Sequence, residues 1–338
     1  MSATLVKEIA MKSNKFNYVL IASLTLGVIT GCNNGNSNSS SQLQSVSVPL
    51  MVYSSGNQSK YYAYTSVGGG TPGMTVVDTG SDVYFVARNM VGPNVTYTNE
   101  SVVLYYDFGN RSVTGVLAYA PVTLYSGNNP VVSSSINTPI VVTESASAPF
   151  IGLMGVGMRG NLSPQLFFPY PYNQAMAVNL PESTLSFGLF TGAIDSTGSS
   201  YIQLENQICN NYGTTIESNS ANCWNTFAIP VNSSFNNGDG TYTESTMNGV
   251  LDTGSDSGYQ LKPFPNYISV TNNYVSNFSY ATINTSTGSL PVNMTPAIYA
   301  ATSNYNGGNF VNVGNNIFNY YQIIFDRYDG KVWFKSPL

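Results

Sequence analysis

Two short stretches decide the reading of this chain: Val76-Val77-Asp78-Thr79-Gly80-Ser81 and Val250-Leu251-Asp252-Thr253-Gly254-Ser255. Each is an apolar run that ends in Asp-Thr-Gly-Ser, and each is followed by a further Asp, Asp82 and Asp256. The copies lie 174 residues apart, Asp78 to Asp252, which is about one domain length. An apolar strand running inward and ending in an Asp-bearing turn would thus occur once in each half, related by a pseudo-two-fold axis. Gly80 and Gly254 carry no Cβ, so two such turns can approach closely and offer backbone N–H groups to the carboxylates. The hydroxyls of Thr79, Ser81, Thr253 and Ser255 can satisfy buried backbone groups and fix the turns. Two carboxylates at hydrogen-bond distance cannot both ionise cheaply, so the pair shares a proton. One member then serves as base toward a water and the other as acid toward a carbonyl.

On these residues the chain resembles the pepsin-like, two-lobed aspartic peptidases, with a bacterial flavour. The resemblance implies an all-β, bilobal fold with a cleft between pseudo-symmetric lobes, and Asp78 and Asp252 as the catalytic pair. It implies no cofactor, no metal and no covalent intermediate. The substrate it implies is an extended polypeptide lying strand-like in the cleft, cut by a monomer.

Composition agrees with an all-β chain. Tyr, Val, Thr, Ser, Asn and Gly dominate, and charged residues are 8% of the 338. Short β-like runs alternate with Gly, Asn, Pro and Ser turns: 47–53, 61–66, 74–77, 102–106, 116–124 and 139–142. Only Leu166–Asn179 carries a helix-like period, and prolines interrupt it. The length suffices for two lobes with cores of their own, expected at 47–192 and 193–338, with the boundary in the Gly/Ser/Thr-rich stretch 191–200.

There is no histidine, which excludes Ser–His and Cys–His hydrolases and most zinc sites. The net charge is −5, so nucleic acid is not an expected partner. Few bases also leave little cationic self-repulsion when carboxylates protonate, which suits work in acid.

Lys7, Lys12 and Lys15 precede the apolar stretch 18–29, and Ile29-Thr30-Gly31-Cys32 follows. A basic region, a short apolar core and small residues before a break form a secretory signal, 1–31, too short to span a membrane. The Cys after Gly31 resembles a bacterial lipobox, which implies cleavage before Cys32, lipid on its thiol and a membrane anchor. Asn33 after the Cys favours the outer membrane of a Gram-negative cell. The Asn/Ser/Gln-rich stretch 32–46 is expected to be a disordered tether. With Cys32 lipidated, Cys209 and Cys223 remain to pair across a short polar loop, as export permits.

Further resemblances fill in the plan. Residues 105–117 look like the family's β-hairpin flap, with Phe108-Gly109 at its tip. Phe108 falls where the family carries a Tyr, and Tyr105 or Tyr106 could supply that hydroxyl after a small slip. Phe85 stands where a flap-anchoring Trp is usual. Phe150–Gly157 resembles the segment that passes beside the first Asp turn, and Ser183–Gly188 the strand toward the crossover. At the C-terminus, Asn312–Arg327 resembles the closing block: a Gly beside the second Asp turn, a short helix, then a strand into Phe325-Asp326-Arg327. Asp326 and Arg327 are read as structural, in a turn or ion pair. Asp329-Gly330 marks a hairpin into Lys331–Phe334.

The leading expectation is therefore an exported, lipid-anchored aspartic endopeptidase. Two alternatives stand beside it: a catalytically weak peptide- or inhibitor-binding module on the same fold, supported by the altered flap, and a glycosidase using the two carboxylates. The carboxylate separation discriminates the last, since retaining glycosidases need about 5 Å and inverting ones more.

Overall fold

Runs such as Gly73–Asp78 alternate buried and partly buried side chains along a pleat, and Ala175–Asn179 is buried throughout; both are strands, with one and two fully covered faces respectively. The computed structural model describes residues 44–55, 58–106, 111–143, 150–190, 199–210, 214, 222–255, 259–261, 266–272, 274–292, 299–301 and 310–336. Within them the protein is built of strands, with short 3-10 turns as its helical elements. It has the expected all-β, two-lobed fold.

Two large sheets repeat one plan. In a ten-stranded sheet, Gly73–Asp78 lies between Phe150–Gly155, parallel, and Gln58–Val67, antiparallel. In a nine-stranded sheet, Tyr242–Leu251 lies between Phe310–Gly314, parallel, and Ile229–Asn236, antiparallel. Beyond them Tyr84–Ala87 and Tyr259–Leu261 take the same place, antiparallel to Phe150–Gly155 and Phe310–Gly314 respectively. The third sheet has six strands and draws on both halves of the chain: Ser45–Pro49, Thr184–Gly188, Ala175–Asn179, Gln322–Asp326, Lys331–Lys335 and Ser200–Gln203, in that order. One continuous apolar cluster links all three, from Val48 and Tyr84 through Phe187 and Phe325 to Phe235 and Ile283.

Several sequence expectations shift. The first strand starts at Ser45 and takes Ser45 and Val46 from the expected tether; they pair with Gly188 and Phe187. The run 116–124 is two strands, Arg111–Tyr119 and Val122–Ser126, because Pro121 lacks the N–H a ladder needs. Leu166–Asn179 is not a helix. Only Pro164–Phe167 coils, Pro169 and Pro171 turn the chain, and Ala175–Asn179 pairs with strands on both sides. At the C-terminus the short helix is a 3-10 turn, Asn316–Asn319. The expected signal 1–31, the expected lipobox cysteine Cys32, nearly all of the expected tether and the boundary stretch 191–198 lie outside the described residues.

Candidate active site

Asp78 ends one central strand and Asp252 directly follows its equivalent, so the fold delivers one carboxylate from each sheet. They meet, with their side chains hydrogen-bonded to each other. That contact is too short for the glycosidase geometry. The glycines make it possible. A Cβ on Gly80 would stand 2.7 Å from Asp252 Cγ, and one on Gly254 would stand 2.5 Å from Asp78 Cγ.

The threonines tie the two turns together. Thr79 Oγ1 donates to Leu251 O at 2.7 Å and accepts from Thr253 N at 3.0 Å. Thr253 Oγ1 donates to Val77 O at 2.7 Å and accepts from Thr79 N at 3.1 Å. Both threonines are buried, so each hydroxyl spends its donor and an acceptor on the opposite strand.

The two carboxyls are held differently. Asp78 Oδ1 accepts from Gly80 N at 2.8 Å and Ser81 N at 3.1 Å, and its Oδ2 accepts from Ser81 Oγ at 2.7 Å. Asp252 Oδ1 accepts from Gly254 N at 2.8 Å, and its Oδ2 accepts from the Asn312 amide at 2.6 Å. Burial raises the Asp252 pKa well above the usual carboxylate range. The charge on Asp78 and the hydrogen bond with it push the same way, while Asn312 and Gly254 N–H pull it down. One proton therefore stays on the pair into the range where an ordinary Asp has lost its own.

Behind the first turn, Val156 N donates to Asp78 O at 2.9 Å and Gly157 N to Ser81 O at 2.6 Å. The Gly-rich segment 152–157 is thus beside the turn, as expected. Asp82 lies buried there, facing Arg159 and Arg327. Burial lifts its pKa to about 6, and the two guanidinium charges moderate that rise. Arg327 donates to Gly157 O at 2.5 Å and is fully desolvated, which lowers its own pKa to about 10. Asp326 accepts from Tyr328 N and Asp329 N, so it is a turn residue.

Cys209 and Cys223 are disulfide-bonded, with Cα atoms 5.2 Å apart. The residues after each bind the same segment: Asn210 N reaches Arg159 O at 3.0 Å, and Trp224 N reaches Met158 O at 2.9 Å.

Phe85 sits on Tyr84–Ala87 and packs against Val102, Leu104, Leu117 and Val141. The flap strands are Thr96–Tyr106 and Arg111–Tyr119, paired through Tyr106 and Arg111. Phe108 and Gly109 lie outside the described residues, as does the Tyr106 side chain. Asn312 and Asp82 were not among the sequence's site candidates. Asn312 could have been found by aligning the two Gly segments, Leu153-Met154-Gly155 and Asn312-Val313-Gly314, which differ in polarity at their first position.

No family model matches the chain, and no curated relative does. Among solved structures, it is similar to an aspartic proteinase from Irpex lacteus at 15% identity and TM-score 0.54, covering 87% of this chain and 97% of that one. It is also similar to the crystal structure of edgp at 13% identity and TM-score 0.55, covering 88% and 95%. At these identities the likeness is one of architecture, and in architecture the chain has the two-lobed fold of pepsin-like aspartic proteinases.

Proposed function

We propose that the protein is an aspartic endopeptidase. The observation that carries this reading is the mutual approach of the two turns, each glycine against the other turn's carboxylate. A water bound between Asp78 and Asp252 would attack the scissile carbonyl. The ionised carboxyl takes a proton from that water, and the protonated one gives its proton to the carbonyl oxygen. The gem-diol intermediate then collapses: the proton taken from water passes to the leaving nitrogen, the C–N bond breaks, and the carboxyl that gave its proton to the carbonyl takes one back from a hydroxyl as the new acid forms. Asp252, whose pKa burial raises, is the seat for the proton, while Asp78 is held in place by three hydrogen-bond donors.

The substrate class we propose is an extended polypeptide laid across the site beneath the hairpin formed by Thr96–Tyr106 and Arg111–Tyr119. We further propose export and lipid anchoring through Cys32, in the outer membrane of a Gram-negative cell. The test is digestion of an unfolded protein from acid to neutral pH, with and without a transition-state-mimicking aspartic peptidase inhibitor. Inhibitable cleavage in acid supports the reading. Tight inhibitor binding without cleavage would favour the weakly active binding module instead.

A further inference from the structure

The two lobes match strand for strand around the site, which makes one departure legible. Phe150–Gly155 and Phe310–Gly314 are equivalent neighbours of the Asp-bearing strands: Leu153 pairs with Val76, and Asn312 pairs with Val250. Val76 and Val250 each stand two residues before their Asp. Leu153 and Asn312 are therefore the same position in the two lobes, apolar in one and an amide in the other. Asn312 is fully buried.

The amide has a fixed orientation. Gly314 N donates to Asn312 Oδ1 at 2.7 Å, which commits the oxygen and leaves Nδ2 as the group that meets Asp252 Oδ2 at 2.6 Å. Gly314 takes a left-handed φ of +70°, which a larger residue would resist. A buried polar group placed in a strand core costs stability unless its bonds are met. Here both ends of the amide are used.

We propose that Asn312 is a third polar member of the catalytic site, which sets how tightly the Asp78–Asp252 pair holds its shared proton. The proposal rests on the aspartic peptidase reading. A donor aimed at a carboxylate favours the ionised form. Asn312 thus lowers the proton affinity of a pair that burial and mutual charge have raised. Among the described residues, the groups acting on Asp252 are Asp78 from the opposite lobe, Asn312 from the adjacent strand and Gly254 N–H from its own turn. Asp78 is the only charged one of these. No matching amide reaches Asp78 from Leu153, so the device acts on one member and makes the pair unequal.

Two variants test this. Asn312→Leu installs the first lobe's residue. Asn312→Asp keeps the acceptor for Gly314 N–H but replaces the donor by a third carboxyl. Both should shift the bell-shaped pH profile of kcat/KM upward, by roughly half a pH unit for Asn312→Leu and further for Asn312→Asp. A merely structural role would lower stability or activity and leave the limbs in place. Profiles that stay put, or move toward acid, overturn the proposal while the peptidase reading stands. If Asn312→Leu does not fold, Asn312→Asp decides alone. If the wild type cleaves nothing, the peptidase reading fails on its own. The midpoint of the Asp252 carboxyl signal in 13C-labelled protein, wild type against Asn312→Asp, then decides: an upward move supports the role, and no move overturns it.

Discussion

Thr79 and Thr253 hold each other's strands: each buried hydroxyl accepts the other's backbone N–H and donates to a carbonyl one strand across, Leu251 O or Val77 O. The geometry of the Asp78–Asp252 pair hangs on this exchange, because the residue before each Thr is the Asp. Thr79→Ala or Thr253→Ala strips one donor and one acceptor and orphans their buried partners. Each should cost about 1–3 kcal/mol per orphaned group, measured by denaturant unfolding, while Ser at either position keeps the hydroxyl and most of the stability.

Gly80→Ala and Gly254→Ala should separate folding from catalysis. A methyl at Gly80 would press on Asp252 Cγ, and one at Gly254 on Asp78 Cγ, so the carboxyls must part. We expect a folded protein by circular dichroism with peptide cleavage reduced by about 100-fold or more, since small misplacements of reacting groups carry penalties of that order. Cleavage within a few-fold of wild type would mean the turns have slack that the contacts deny.

Much of this was legible in the sequence because duplication makes a pattern: two identical Asp turns with apolar lead-ins give both the fold and the pair. The disulfide was legible because removing Cys32 leaves only Cys209 and Cys223 to join. What stayed hidden depends on chain segments that meet only after folding. Asp82 meets Arg159 and Arg327 from the segments that follow Phe150–Gly155 and Gln322–Asp326, and nothing near Asp82 in sequence announces them. Leu166–Asn179 misled because a fully buried strand has no alternation, so its apolar run also fits one face of a helix.

Asp82 should tie stability to acidity. Its folded pKa, about 6, lies above the unfolded value of 3.8, so the folded chain binds the proton more tightly. Its contribution is therefore fully present below about pH 4 and is lost as pH rises through about 6. A shift of that size is worth about 3 kcal/mol. Asp252, raised in the same direction, adds to the trend. Unfolding free energies across pH 3.5–7 should fall for the wild type and fall distinctly less for Asp82→Asn. Equal slopes would remove Asp82 from this account.

Lipid on Cys32 is read from Ile29-Thr30-Gly31-Cys32 behind a short apolar core. Mass spectrometry of the mature N-terminus from membranes should find a diacylglyceryl cysteine there. A mature chain starting at another residue with a free amine would end the lipoprotein reading and leave the catalytic one untouched.

The central claim is that Asp78 and Asp252 work as one unit, and the most direct measurement is cleavage of an unfolded protein at its best acid pH by four chains: wild type, Asp78→Asn, Asp252→Asn and the double variant. Asn is nearly isosteric and relieves the like-charge contact, so all four should fold. Each single variant should lose essentially all cleavage, and the double should be hardly worse than either, because effects within one catalytic unit do not add. Near-full proteolysis by Asp252→Asn would contradict the account.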